Sequence, residues 1–135
     1  MAMDMAVNTK SLPRVFLVED SRLLRERLVT MLAGIAQSAG DASTASAAID
    51  AIIANRPDAV VLDLMLKGGS GIDVLRALHE RAPQIAVYVL TNYPAPHYRR
   101  LALELGARGF FDKSTEFNLV RDAIAGLTSL TQHPQ

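Results

Sequence analysis

Two hydrophobic patterns alternate along this chain. Short runs that are apolar throughout read as strands buried on both faces. Stretches whose apolar residues return every third or fourth position read as helices with one buried stripe. Residues 15–18 (VFLV) form the first run, which ends at Glu19-Asp20. Leu24, Leu28, Met31 and Leu32 then share one helical face, with Asp20 or Ser21 as the N-cap and Gly34 as the stop. Residues 35–39 (IAQSA) predict a short second strand. Ser43 or Thr44 caps a second helix with Ala48, Ile49, Ile52 and Ile53 on its apolar face, and Pro57 ends it. Residues 59–62 (AVVL) are the third strand and run into Asp63, after which 67–71 (KGGSG) reads as a loop. Leu75, Leu78 and Ala82 belong to a third helix that Pro83 stops. Residues 85–90 are a fourth strand leading to Thr91, and Pro94 and Pro96 punctuate the loop beyond it. Tyr98, Leu101, Ala102 and Leu105 mark a fourth helix, which Gly106 ends. Residues 109–112 (GFFD) are a fifth strand ending at Lys113. Ser114 or Thr115 caps the last helix, whose inner face is Phe117, Val120, Ile124 and Leu127.

A strand and a helix thus alternate five times. That order implies an α/β fold: a (βα)5 doubly wound parallel five-stranded sheet, flavodoxin-like, with helices on both faces. The expected domain covers residues 14–130, between tails at 1–13 and 131–135, with no second domain attached. The 135 residues suit one domain of that kind.

Composition narrows the function classes. Fourteen basic residues balance fourteen acidic ones, which argues against a nucleic-acid partner for the chain as a whole. The absence of cysteine excludes a disulfide scaffold, a zinc finger, an iron–sulfur site and a thiol nucleophile. Residues 1–13 carry Asp4 where an export signal needs basic charge, and no stretch has the apolar length of a membrane span. The expectation is a soluble, cytoplasmic protein with no membrane partner.

In an open parallel sheet, ligands sit beyond the carboxyl ends of the strands. Glu19 and Asp20 stand after the first strand, Asp63 after the third, Thr91 after the fourth and Lys113 after the fifth. Clustered carboxylates need a cation, and oxygen ligands with room for water favour Mg2+ over zinc. A cation and a lysine together can hold a phosphoryl group, and a carboxylate can accept one as an aspartyl phosphate.

These residues resemble the receiver domain of bacterial two-component response regulators. The resemblance is carried by VFLVEDS (15–21), VVLDLML (60–66) with the following GGSG, LTN (90–92) and GFFDKS (109–114). It implies that Asp63 is the phosphoacceptor. It implies that Mg2+ is held by Glu19, Asp20, Asp63 and the backbone carbonyl of Met65. Lys113 is implied to pair with the acceptor and then with the phosphoryl group, Thr91 to be the switch hydroxyl and Phe110 the switch aromatic. Phosphorylation would draw the Thr91 hydroxyl inward and open space into which Phe110 turns. Met65, Asn92 and Tyr93 occupy positions that govern access and phosphoryl lifetime; the bulk of Met65 and Tyr93 predicts a slowly hydrolysing acyl phosphate.

Ser114 follows Lys113 where the family commonly has proline, so a cis peptide is not expected there. The implied partners are a sensor histidine kinase or histidine phosphotransfer protein and a downstream protein target. A homodimer through the fourth helix, fifth strand and fifth helix is a further possibility. The protein is expected to be a phosphoacceptor rather than an enzyme, although it can catalyse its own phosphorylation from small donors and its own dephosphorylation.

Bland readings stand beside these. Arg99 and Arg100 read as an exposed helix face, Asp112 as surface, and His79, His97 and His133 as solvated groups without metal-ligand spacing. Leu103 falls off the buried stripe of its helix. Three other functions remain open: an interaction module that works without phosphorylation, an aspartyl-phosphate phosphatase and a flavodoxin-like cofactor binder. Met65 stands where a phosphatase of the haloacid-dehalogenase type wants a second aspartate, and the acidic turn after the first strand repels a cofactor phosphate.

Overall fold

The computed structural model describes residues 12–92 and 94–131, with side chains described as far as Leu127. Tyr93, His133 and most of the two expected tails lie outside the described residues. Leu12 and Pro13, assigned above to the N-terminal tail, belong to the fold: Pro13 is buried, and its carbonyl accepts the Gln37 N–H at 2.8 Å.

Among the described residues, five parallel strands form one sheet in the order β2-β1-β3-β4-β5. They are β1 (Arg14–Val18), β2 (Gln37–Ala42), β3 (Ala59–Leu62), β4 (Ala86–Thr91) and β5 (Gly109–Asp112). Between and after them run α1 (Arg22–Leu32), α2 (Ala45–Asn55), α3 (Gly71–Arg81), α4 (Pro96–Glu104) and α5 (Leu119–Thr131). The doubly wound parallel sheet expected from the sequence is therefore present.

Two cores follow from the alternation of side chains across each strand. Phe16, Val18, Val60, Leu62, Val87, Val89 and Phe110 face α2, α3 and α4. Val15, Leu17, Val61, Tyr88 and Leu90 face α1 and α5. The central strands β3 and β4 are buried along their whole length, which is why they read as continuous apolar runs.

Four expectations change, at the second strand, the loop after Asp63, the loop before the fourth helix and the start of the last helix. Pro96, read above as loop, is the first residue of α4, where its missing N–H costs nothing. The second strand is 37–42, not 35–39: Ile35 and Ala36 still donate to the Leu32 carbonyl in the turn after α1. This is a polar edge strand (QSAGDA), so hydrophobicity pointed to its apolar approach instead. Its pairing with β1 shifts register between Val15 and Leu17, and Gly40 (φ 115°) lies against the Phe16 ring. The segment read as a loop contains a short antiparallel hairpin, with Met65 paired to Ser70 and Leu66 to Gly69. Ser70 caps α3, and Ser21 and Thr44 cap α1 and α2.

The last helix begins at Leu119, so neither Ser114 nor Thr115 caps it. The Ser114 hydroxyl is instead spent on Asp112 Oδ1 at 2.7 Å. The described peptide bonds are all trans, the one between Lys113 and Ser114 included.

Candidate functional site

The carboxyl ends of β1, β3, β4 and β5 bring Glu19, Asp20, Asp63, Thr91 and Lys113 to one end of the sheet. Carboxylate oxygens of Glu19, Asp20 and Asp63 lie within 4.8 Å of one another. Glu19 is 2% exposed and Asp63 5% exposed, whereas Asp20 is half-buried. Lys113 Nζ lies 2.8 Å from Glu19 Oε1 and 3.0 Å from Asp63 Oδ2, bridging the two buried acids.

Local structure aims each group. Glu19 Oε2 accepts the Ser21 N–H at 3.0 Å, and the Glu19 carbonyl accepts Arg25 Nη1 at 2.7 Å. The start of α1 thus turns the Glu19 side chain back toward the site. Asp63 continues β3, donating its N–H to the Val18 carbonyl, and its Oδ1 accepts the Met65 N–H at 3.1 Å. Gly71 opens α3 directly against the chain at Asp63-Leu64, where a Cβ would collide with the Asp63 carbonyl. Thr91 is fully buried at the end of β4, in register with Asp112, and its carbonyl accepts the Lys113 N–H at 2.9 Å.

Burial pushes the Glu19 carboxyl above its ordinary range, although Lys113 and the Ser21 N–H pull it back in part. Burial alone would lower the Lys113 ammonium. The hydrogen bonds and charges of Glu19 and Asp63 outweigh it and hold Lys113 above the ordinary lysine value. The lysine is therefore charged across the neutral range. The donor set of three converging carboxylates fits a hard divalent cation such as Mg2+, which prefers oxygen ligands.

Phe110 is 4% exposed and sits in the core beneath α2, α3 and α4, so the ring expected to turn inward is already inside. The Arg99 guanidinium lies 4.9 Å from its centroid, within cation–π range. Arg99, read above as an exposed face alone, therefore also covers this ring. Met65 is 49% exposed and Asn92 is exposed at the rim.

Asp112, read above as surface, is half-buried and orders the turn beyond β5. Its Oδ1 accepts the Ser114 N–H and hydroxyl, and its own N–H donates to Glu116 Oε1. The Ser114 hydrogen bonds hold the Asp112 carboxyl below its usual value. Sequence reasoning also missed Lys67, whose backbone N–H donates to Asp20 Oδ2 at 2.7 Å. A backbone donor carries no residue-type signature, so nothing in the sequence marked it. Among the described residues, no helix is long and apolar enough to cross a membrane.

Comparison with known proteins agrees with this arrangement. The model of the response regulator receiver domain matches residues 15–125. The DNA-binding transcriptional activator DevR/DosR of Mycobacterium tuberculosis is 32% identical over 123 residues, covering 87% of this chain and 57% of the relative. The photosynthetic apparatus regulatory protein RegA of Rhodobacter capsulatus is 33% identical over 111 residues, covering 82% of this chain and 60% of the relative. This chain thus spans little more than half the length of these relatives. A crystal structure of a LuxR-family two-component response regulator from Aurantimonas sp. SI85-9A1 superposes with a TM-score of 0.80 at 25% identity, covering 87% of this chain and 86% of that one. With the family model matched across most of its length, the chain belongs to the response regulator receiver domain family.

Proposed function

We propose that this receiver accepts a phosphoryl group on Asp63 from a histidine kinase or histidine phosphotransfer protein and signals by protein contact, in the cytoplasm. The observation that carries the reading is the buried bridge from Lys113 to Asp63 and Glu19 beside a third carboxylate. An Asp63 oxygen forms the new bond to phosphorus as the bond to the donor's nitrogen or oxygen breaks, leaving an acyl phosphate. Glu19, Asp20, Asp63 and the Met65 carbonyl would hold Mg2+, which offsets the charge of the carboxylates and of the arriving group. Lys113 exchanges its bond to Asp63 for one to a phosphoryl oxygen, and the Thr91 hydroxyl donates to another.

Thr91 and Phe110 then form the switch pair. Both lie on the same side of the sheet, and Phe110 starts from an inward position under Arg99. A change at Thr91 therefore acts on the packing between β5 and α4 rather than on a ring waiting outside. Leu103 on α4 and Leu119 on α5, 48% and 45% exposed, supply apolar contact for a downstream protein or a second copy on that face. Met65, Asn92 and Tyr93 set access to the phosphoryl group and its lifetime.

The test is incubation with acetyl phosphate, with and without Mg2+, followed by intact mass over time. A Mg2+-dependent phosphoryl adduct, absent in Asp63→Asn, is the expected result. Failure of the wild-type protein to gain mass from either acetyl phosphate or a phosphorylated histidine phosphotransfer protein would overturn the phosphoacceptor reading in favour of a phosphorylation-independent interaction module.

A further inference from the structure

Lys113 carries its charge to Glu19 and Asp63. Asp20 is engaged from the opposite loop, by the Lys67 N–H at 2.7 Å from Oδ2. Two residues earlier, the Met65 N–H donates to Asp63 Oδ1. Met65 lies in the first strand of the hairpin and Lys67 in the turn that follows it, and the backbone N–H of each reaches one of the acids. Leu66, between them, pairs with Gly69 across the hairpin.

The tip of this hairpin is tied to α2. Ala45, the first residue of that helix, donates its N–H to the Gly68 carbonyl at 3.0 Å, and Thr44 bridges to Gly68. The contact is close: a Cβ on Gly68 would lie 2.6 Å from Thr44 Cγ2, and one on Gly69 would lie 2.9 Å from Ala45 Cβ. Asp20, the hairpin tip and the first turn of α2 are therefore one connected unit.

We propose that the backbone N–H of Lys67 competes with the divalent cation for Asp20, lowering the site's cation affinity and passing its occupancy to the start of α2 through Gly68. The inference rests on the cation reading above. The physical reason is that both act on the same half-buried carboxylate. The N–H occupies Oδ2, so a cation that draws Oδ2 into its shell must displace a hydrogen bond to a charged acceptor, worth about tenfold or more in an equilibrium. Lys67 is in this sense a positioning residue, and its ammonium has no part in the effect.

The experiment is a MgCl2 titration of the full 15N-labelled chain, followed by NMR. Lys67→Pro removes the donor at a turn position; Lys67→Ala keeps the donor and removes the ammonium. Lys67→Pro should bind Mg2+ about tenfold more tightly than the wild type, and Lys67→Ala should stay within about twofold. In the wild type, the Lys67 and Ala45 amides should shift along one binding curve, and the Ala45 shift should be lost in Lys67→Pro.

Equal affinities in Lys67→Pro and the wild type, with binding weakened in Asp20→Asn, overturn the competition and leave the cation site standing. A wild-type chain without any Mg2+-dependent shift overturns both. If Lys67→Pro does not fold, the wild-type titration decides: a Lys67 amide that stays still while those of Asp20 and Asp63 move overturns the inference.

Discussion

The two loops that frame the acids, residues 63–70 after β3 and 113–118 after β5, hold their groups in place by different means. The first is held by backbone: amides of Met65 and Lys67 on carboxylates, the Gly68 carbonyl on α2, and Gly71 packed against the Asp63 carbonyl. The second adds side chains to its backbone bonds: Lys113 on two buried acids, Asp112 on Ser114, and Glu116 on the Asp112 N–H, beside the Lys113 N–H on the Thr91 carbonyl and the Glu116 N–H on the Asp112 carbonyl. Backbone contacts leave the exposed side chain of Lys67 free to vary, whereas Asp63, the buried Leu64, the cap Ser70 and the tightly packed glycines are fixed by what they touch. Side-chain contacts make the second loop sensitive to residue type at each anchoring position. Backbone dipoles in one loop and a full positive charge in the other thus answer the same crowding of carboxylates.

The largest break in this comparison is Lys113→Met. It leaves Glu19 and Asp63 buried without their ammonium, which should cost about 3 kcal/mol in urea unfolding at neutral pH. The raised value of Lys113 sets the pH window. Its stabilising contribution is present below the ordinary lysine range and is lost as pH rises through the raised value, so wild type and variant should converge in strong alkali.

Gly71→Ala comes next, at about 2 kcal/mol, because its added methyl meets backbone that has no rotamer to relieve it. A Tm equal to the wild type's would show that the first loop yields more easily than its contacts imply.

Asp112→Ala should give the smallest effect, a lowering of Tm below that of Gly71→Ala, together with looser order at residues 114–116 by amide exchange. Its carboxyl is depressed, so its contribution is present above the ordinary aspartate range and fades as pH falls through the lowered value. The gap between variant and wild type should therefore narrow in acid.

Legibility in the sequence follows the same division. β1, β3 and β4 were readable because burial on both faces demands continuous apolar runs, and these strands end at the residues that form the site. Glu19, Asp20, Asp63 and Lys113 were therefore found together from topology alone. β2 lies two residues beyond the apolar stretch that predicts it, because an edge strand needs little apolar surface. Ser114 and Thr115 have the chemistry of caps yet precede α5 by several residues, because Asp112 takes the Ser114 hydroxyl, a pairing that only the fold shows. The cover over Phe110 was invisible because it joins Arg99 to a ring on another element, a contact that periodicity within one helix does not encode.

The polar edge strand β2 has one more consequence. It carries Gln37, Ser38 and Asp41, and its pairing with β1 slips where Gly40 meets Phe16. A polar, irregular border is a poor template for another strand, because incoming backbone finds neither a regular ladder nor an apolar strip to lie on. Growth of the sheet by strand addition is thereby discouraged along β2.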